Sequence, residues 1–175
     1  MRRVLLTLGA LGALAACSAP QQSAPASSSA SAPPASAAVQ VPPDPQPTAD
    51  GPCPYLETSF IADANGQHVS KVRTSADQPH PACFFYALSG QLQLTVRVYV
   101  GDTAVAKALV DQSAPVNSSN PATDPAGWSG GYQPTGNGAV YAVSKAGTAV
   151  VVTTNQKQTV KARTVAKQTI SALGL

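Results

Sequence analysis

Hydrophobic and polar side chains alternate most strictly over residues 91–100, and this pattern predicts a β-strand. Leucine or valine occupies every second position, while Gln, Thr, Arg and Tyr occupy the positions between them. Because successive side chains of a strand point to opposite sides of the sheet, one face should be buried and the other more polar. Residues 82–88 are apolar and aromatic and are followed by Ser89-Gly90. The two segments are therefore predicted to form a hairpin.

Similar patterns predict the remaining elements. Residues 139–144 and 148–154 are typical of a second hairpin, and residues 69–74 of a short strand. Apolar residues recur at helical spacing in three segments: residues 54–64, 102–111 and 158–173. Runs of antiparallel strands separated by helices favour a single α+β domain, with one antiparallel sheet of about five strands covered by two or three helices.

The first sixteen residues have the pattern of an export signal. Two arginines near the start are followed by an uncharged apolar run, residues 4–16. As a helix this run would rise only about 20 Å, whereas a hydrocarbon core is about 30 Å thick. The run is too short for a membrane span, so residues 1–16 are predicted to be a removable signal peptide.

The apolar run ends in Leu-Ala-Ala-Cys at residues 14–17, which is typical of a bacterial lipobox. The small alanines suit a protease cleft, and the thiol of Cys17 is the nucleophile that accepts diacylglycerol. Because two or three acyl chains anchor a protein stably, Cys17 predicts a palmitate-bearing lipoprotein on the extracytoplasmic face of the cell membrane. The alternative is an ordinary secretory signal in which Cys17 has no such role.

Residues 17–51 are rich in Ala, Ser and Pro and are predicted to be a disordered tether behind the lipid. Nine of the sixteen prolines lie between residues 18 and 52, and no aromatic residue does. Such a composition buries too little apolar surface to offset the entropy lost on folding. The globular domain is then expected to cover residues 52–175, a length that fits one domain.

Cys53 and Cys83 are predicted to form a disulfide, because an even number of cysteines in an exported domain favours pairing. A metal or redox pair is the alternative, but the CxxC spacing typical of such pairs is missing. Without the signal peptide the chain has nine basic and eight acidic side chains, so its charge gives no argument for binding nucleic acid.

The chemistry-bearing residues do not form a recognisable catalytic or metal-binding set. The two histidines, His68 and His80, lie in no HExxH or Cys/His pattern, and no Ser-x-x-Lys motif occurs. Glu57 is the only glutamate, and the aspartates fall mostly in turns and caps. The sequence therefore predicts no enzyme, no catalytic residue, no metal and no cofactor, with a small hydrolase as the least favoured alternative.

Two features are candidates for binding. Residues 113–137 form a long aperiodic stretch with Trp128 and Tyr132, which would suit a ligand or partner surface if exposed. The alternative is that Trp128 fills the edge of the core. The last helix gathers its cations on one arc, which could contact anionic lipids or wall polymers or could simply be solvated: Lys157, Lys161, Arg163 and Lys167.

From Cys53 onward the chain resembles actinobacterial lipoproteins catalogued as domain of unknown function 2020. The resemblance rests on four short segments: residues 53–56, 83–86, 96–99 and 153–158. It implies an extracytoplasmic envelope domain from a high-GC Gram-positive bacterium. The family supplies no activity and no catalytic residue that could be carried over.

These features favour a non-enzymatic binding or accessory module of the cell envelope. Its expected partners are the membrane, through the lipid anchor, and envelope polymers or envelope proteins. The alternative is a carrier that encloses an apolar or lipid ligand. A large internal apolar cavity would favour the carrier, whereas a solid core with an open groove would favour the binding module.

Overall fold

The computed structural model describes residues 39–175. They form eight strands: β1 (Ala49–Asp50), β2 (Val69–Thr74), β3 (Cys83–Ala87), β4 (Leu92–Val100), β5 (Asn120–Ala122), β6 (Ser129–Thr135), β7 (Gly138–Lys145) and β8 (Thr148–Thr154). The helices are α1 (Thr58–Asn65), α2 (Thr103–Ser113) and α3 (Thr159–Leu173). The predicted signal peptide, Cys17 and the first part of the predicted tether lie outside the described residues.

All eight strands belong to one antiparallel sheet in the order β1-β2-β3-β4-β8-β7-β6-β5. The α+β class is therefore right, but the expected number of about five strands is wrong. The five predicted strands are present as β2, β3, β4, β7 and β8, and both predicted hairpins are confirmed. The strands that the pattern missed are β1, β5 and β6.

Strand β6 explains why the hydrophobic pattern failed, since it lies inside the stretch that looked like a long loop. It pairs with β7 along its whole length but contains Gly130, Gly131 and Pro134 instead of alternating apolar residues. At Gly130 a Cβ atom would lie 2.0 Å from the carbonyl oxygen of Ala142, so this close strand pairing requires glycine. The glycines of β6 make this segment look like a loop, but Gly130 is needed for the close contact with the backbone of β7.

The helices lie on opposite faces of the sheet. Helices α1 and α3 cover one face and enclose the larger core, which includes Ile61, Phe85 and Tyr141. Helix α2 lies on the other face over β6, β7 and β8, and a smaller core fills the space beneath it. Because the central strands are covered on both sides, β8 is apolar on both faces.

The helix ends follow the sequence signals in part. Asp102 caps α2 as predicted, accepting hydrogen bonds from the amides of Ala104 at 2.8 Å and Val105 at 3.1 Å. Gly174 ends α3 in the left-handed conformation, with φ of 64°. Helix α1 begins at Thr58, later than the predicted residue 54, because the chain first turns at Pro54 and Tyr55. This turn directly follows Cys53, which the disulfide fixes to β3.

The predicted disulfide between Cys53 and Cys83 is confirmed. The two Cα atoms are 5.6 Å apart, and both residues are buried in the larger core. The bond joins the segment before α1 to the first residue of β3. It therefore holds α1 near the strands that it covers.

The structure differs from the expected tether at its carboxyl end. Residues 41–47, called the strap below, lie against the α2 side of the sheet, where Val41 packs on the smaller core, as Tyr99 also does. Thr48 then donates its amide to the carbonyl of Thr74 at 2.9 Å, and β1 pairs with β2. The packed part of the chain thus begins before residue 52.

Candidate functional site

Trp128 and Tyr132 do not form an exposed aromatic surface. Trp128 is 4% exposed and belongs to the larger core, with the Nζ atom of Lys145 5.9 Å from its ring centroid. Tyr132 is half-buried and stacks on Tyr141, with ring centroids 6.2 Å apart. The structure places both rings on the α3 side of the sheet, where they contribute to packing.

The four cations of α3 and its approach do not act as one surface. Lys161 turns inward, and its Nζ atom donates to the carbonyl of Asn65 at 2.8 Å. The Nζ atom of Lys167 lies 3.1 Å from the carboxylate of Asp124, a partner brought in by the loop before β6. Lys157 and Arg163 are exposed. Two of the four charges therefore have structural partners.

A buried polar network joins α1 to the neighbouring strands. The side-chain amide of Asn65 donates to Gln93 at 2.9 Å and accepts a hydrogen bond from the hydroxyl of Thr154. The side chain of Gln93 in turn donates to the carbonyl of His68 at 3.0 Å. These amides are less than 2% exposed, so their hydrogen bonds replace those that water would make. This network is structural, because its donors and acceptors satisfy one another.

Burial raises the pKa of the Tyr55 and Tyr141 phenols above the ordinary value. The hydroxyl of Tyr55 donates to the carbonyl of Pro81 at 2.8 Å, and that of Tyr141 donates to the carbonyl of Asp124. Both phenols therefore stay neutral at physiological pH and hold loops in place. At the sheet edge, a hydrogen bond from Lys71 holds the pKa of Asp50 below its ordinary value.

Two open grooves flank α2 on its face of the sheet. The first, called the β6-side groove, has a volume of about 610 Å³ and lies between α2 and the strands β5, β6 and β7. Val110 and Ala114 form part of its apolar wall, while Lys107 and Ser129 are among its polar residues. Val116, which is 79% exposed, also lines it. Apolar walls with a few polar groups are typical of ligand-binding concavities of this size.

The second groove, called the β4-side groove, has a volume of about 420 Å³ and lies on the other side of α2. Its floor includes Phe84 and Arg97, and Leu109 of α2 forms one wall. The strap forms another wall through Asp44 and Pro45. Arg97 belongs to the face of β4 that the alternation marks as polar, yet the residue is only 8% exposed because the strap covers it.

Residues 127–131 match the Gly-x-Ser-x-Gly pattern of many serine hydrolases. In those enzymes the serine lies in a sharp turn from a strand to a helix, whereas Ser129 begins an antiparallel strand. His68 directly precedes β2, which is five strands away from β6, and His80 precedes β3, which is four strands away. At the usual strand spacing these separations are about 24 Å and about 19 Å. No histidine of residues 39–175 can therefore act as the base for Ser129.

Residues 39–175 contain no group of three or more His, Cys, Asp or Glu side chains placed to hold a metal ion. Within the same residues, no helix is both long and apolar enough to cross a membrane.

The fold and site together define a disulfide-linked α+β domain with an open, grooved face. The chain matches the family model described as "Domain of unknown function (DUF2020)" over residues 34–175. It belongs to this family, which confirms the family membership that its motifs predicted. No curated protein matches the chain. The family match begins before residue 39, so it includes the strap as well as the globular part.

Proposed function

We propose that this protein is a lipid-anchored lipoprotein of an actinobacterial envelope, and that its domain is a non-enzymatic binding module. The β6-side groove is the proposed ligand surface. The observation that carries this assignment is the contrast between the two faces of the sheet. On the α3 face, side chains fill the space except for a recess of about 100 Å³ beside Tyr132 and Tyr141, whereas the α2 face has an open groove of about 610 Å³.

The filled core favours the binding module over the carrier. The space between the sheet and helices α1 and α3 is occupied by large side chains, among them Ile61, Phe85 and Tyr141, each at most 1% exposed. A carried lipid would have to displace such residues at a high packing cost. The grooves beside α2, by contrast, are open without any rearrangement.

Site-specific photo-cross-linking tests the proposed ligand surface. A benzoylphenylalanine at Val116, on the rim of the β6-side groove, is expected to give a discrete adduct in intact cells. Adding Ser129→Arg should reduce that adduct roughly tenfold, because the arginine fills space that the ligand needs. Gln168→Arg, an exposed position on α3, is the matched control and should leave the adduct unchanged. Adducts that form equally from the exposed Thr164 of α3 would contradict the assignment.

The proposed anchor predicts the behaviour of a Cys17→Ala variant. Without the thiol no diacylglycerol can be attached, so incorporation of labelled palmitate should fall to background and the protein should leave the membrane fraction. Cys53→Ala removes a different cysteine and should leave palmitate incorporation unchanged. A Cys17→Ala protein that still carried palmitate would contradict the proposed anchor.

A further inference from the structure

Arg97 is a buried cation whose partners all come from the strap. Its Nη2 atom donates to the carbonyls of Pro42 at 3.0 Å and Pro43 at 2.9 Å, and its Nη1 atom to the carboxylate of Asp44 at 3.3 Å. Within residues 39–175 these are the hydrogen bonds of its side chain, which is 10% exposed. The guanidinium therefore depends on an extended polypeptide that crosses the sheet.

The hydrogen bonds from Arg97 to the strap are of the kind that can hold a proline-rich chain. A proline has no amide N–H, so a proline-rich segment cannot pair along its length with a strand. It can offer carbonyl oxygens and apolar rings, and proteins that bind such segments use side-chain donors beside apolar or aromatic surface. The planar guanidinium of Arg97 supplies the donors, while Phe84 supplies aromatic surface in the adjoining groove.

The strap is held by few contacts. Asp44 is 89% exposed in its ion pair with Arg97, so solvent screens that attraction. Val41, Pro42, Pro45 and Pro47 are half-buried and no strap residue is fully buried, while Pro43 is exposed. Segments with so little buried surface open far more readily than the core. Once the strap opens, the guanidinium lies unpaired on the floor of the β4-side groove, next to space of about 420 Å³.

We propose that the surface over Arg97, which the strap covers at the edge of the β4-side groove, is a binding site for a proline-rich, acidic, extended segment of a partner protein. Residues 41–47 occupy this site in cis. The proposal rests on the proposed function and names a partner class for the α2 face. The strap itself shows the chemistry of the ligand: consecutive prolines followed by an aspartate. The partner segment replaces the strap and restores the hydrogen bonds of Arg97.

A partner segment must compete with the strap for Arg97, because the strap belongs to the same chain and already covers this residue. Only Thr48 separates the strap from β1, so the local concentration of the strap at Arg97 is on the order of millimolar or higher. A free peptide at micromolar concentration should therefore bind the wild-type protein weakly. Weakening the strap should expose the site and increase the apparent affinity.

The test uses the full chain in detergent and a fluorescent peptide with the sequence of residues 41–47. In a Val41→Ser/Asp44→Lys variant, the strap loses its apolar contact and faces Arg97 with a like charge. By fluorescence anisotropy this variant should bind the peptide at least about tenfold more tightly than the wild type does. Asp63→Lys makes the same charge change on the exposed surface of α1 and should bind like the wild type.

Adding Arg97→Gln to the released variant should return peptide binding to the wild-type level, because glutamine cannot replace the guanidinium donors. A released variant that binds the peptide no more tightly than the wild type up to about 1 mM overturns the proposal, since the strap is then either not exchangeable or not a model of the ligand. The photo-cross-linking experiment uses Val116, which lines the β6-side groove. Failure of the peptide experiment therefore does not affect the test of the proposed function.

Discussion

Replacing Cys53 and Cys83 together by serine is expected to lower the free energy of unfolding by about 3–4 kcal/mol. The bond closes a loop with a sequence separation of 30 residues, and its loss restores that loop's freedom to the unfolded chain. Both sulfur positions are buried, so two serine hydroxyls would also enter the larger core. Chemical denaturation of the oxidised wild type and the double variant measures the difference.

Reduction supplies the control for the disulfide prediction. Wild-type protein unfolded and refolded in excess reductant should approach the stability of the double variant, whereas the variant should not respond to reductant. A loss below about 1 kcal/mol in the double variant would show that the bond adds little to the connection between α1 and β3.

The second large effect is expected at Asn65. Asn65→Ala removes the amide that pairs with both Gln93 and Thr154, and leaves their buried polar atoms without these partners. Each unsatisfied buried group costs about 1–3 kcal/mol, so the free energy of unfolding should fall by about 2–4 kcal/mol. The same denaturation experiment measures it.

Asn155→Ala is the matched control for Asn65→Ala. Asn155 belongs to the rim of the same network, where its amide donates to Gln67 at 2.9 Å, but it is exposed to water. Water can replace its hydrogen bonds, so the loss should stay below about 1 kcal/mol. Equal losses from the two variants would mean that burial does not set the stability of this network.

The sequence predicts the parts of the fold whose signals are local. Strands β4, β7 and β8 can be predicted because many of their residues are apolar and regularly spaced. Asp102 and Gly174 mark helix ends, because aspartate accepts hydrogen bonds from the first helical amides and glycine adopts the left-handed conformation. The cysteine pair is found because few alternatives exist for two cysteines in an exported domain. These features need no knowledge of distant residues.

The missing features depend on residues far apart in the chain. The hydrophobic pattern does not reveal strand β6, because the close contact between Gly130 and the backbone of β7 requires glycine there. No local sequence pattern indicates this contact. Lys167 looks unbalanced until the loop before β6 brings Asp124 beside it. Arg97 looks solvent-facing because nothing in the alternation shows that the strap returns over β4. In each case the deciding contact is tertiary.

The candidate site was harder to predict than the fold. The aromatic residues that looked available, Trp128 and Tyr132, pack on the α3 side, whereas the grooves lie on the α2 side. Many residues that line the grooves are small or polar, such as Ala114 and Ser129, and carry no motif for binding. A groove arises from how a helix crosses a sheet, which periodicity alone does not specify.

We propose above that the grooved domain is fastened to a membrane through Cys17. Intact-mass analysis of the protein purified from its native membrane is the decisive test of this anchor. We expect a mature chain that begins at Cys17 and carries the mass of a thioether-linked diacylglycerol, with or without a further acyl chain. An unmodified amino terminus at that cysteine, or a chain that still includes residues 1–16, would contradict it.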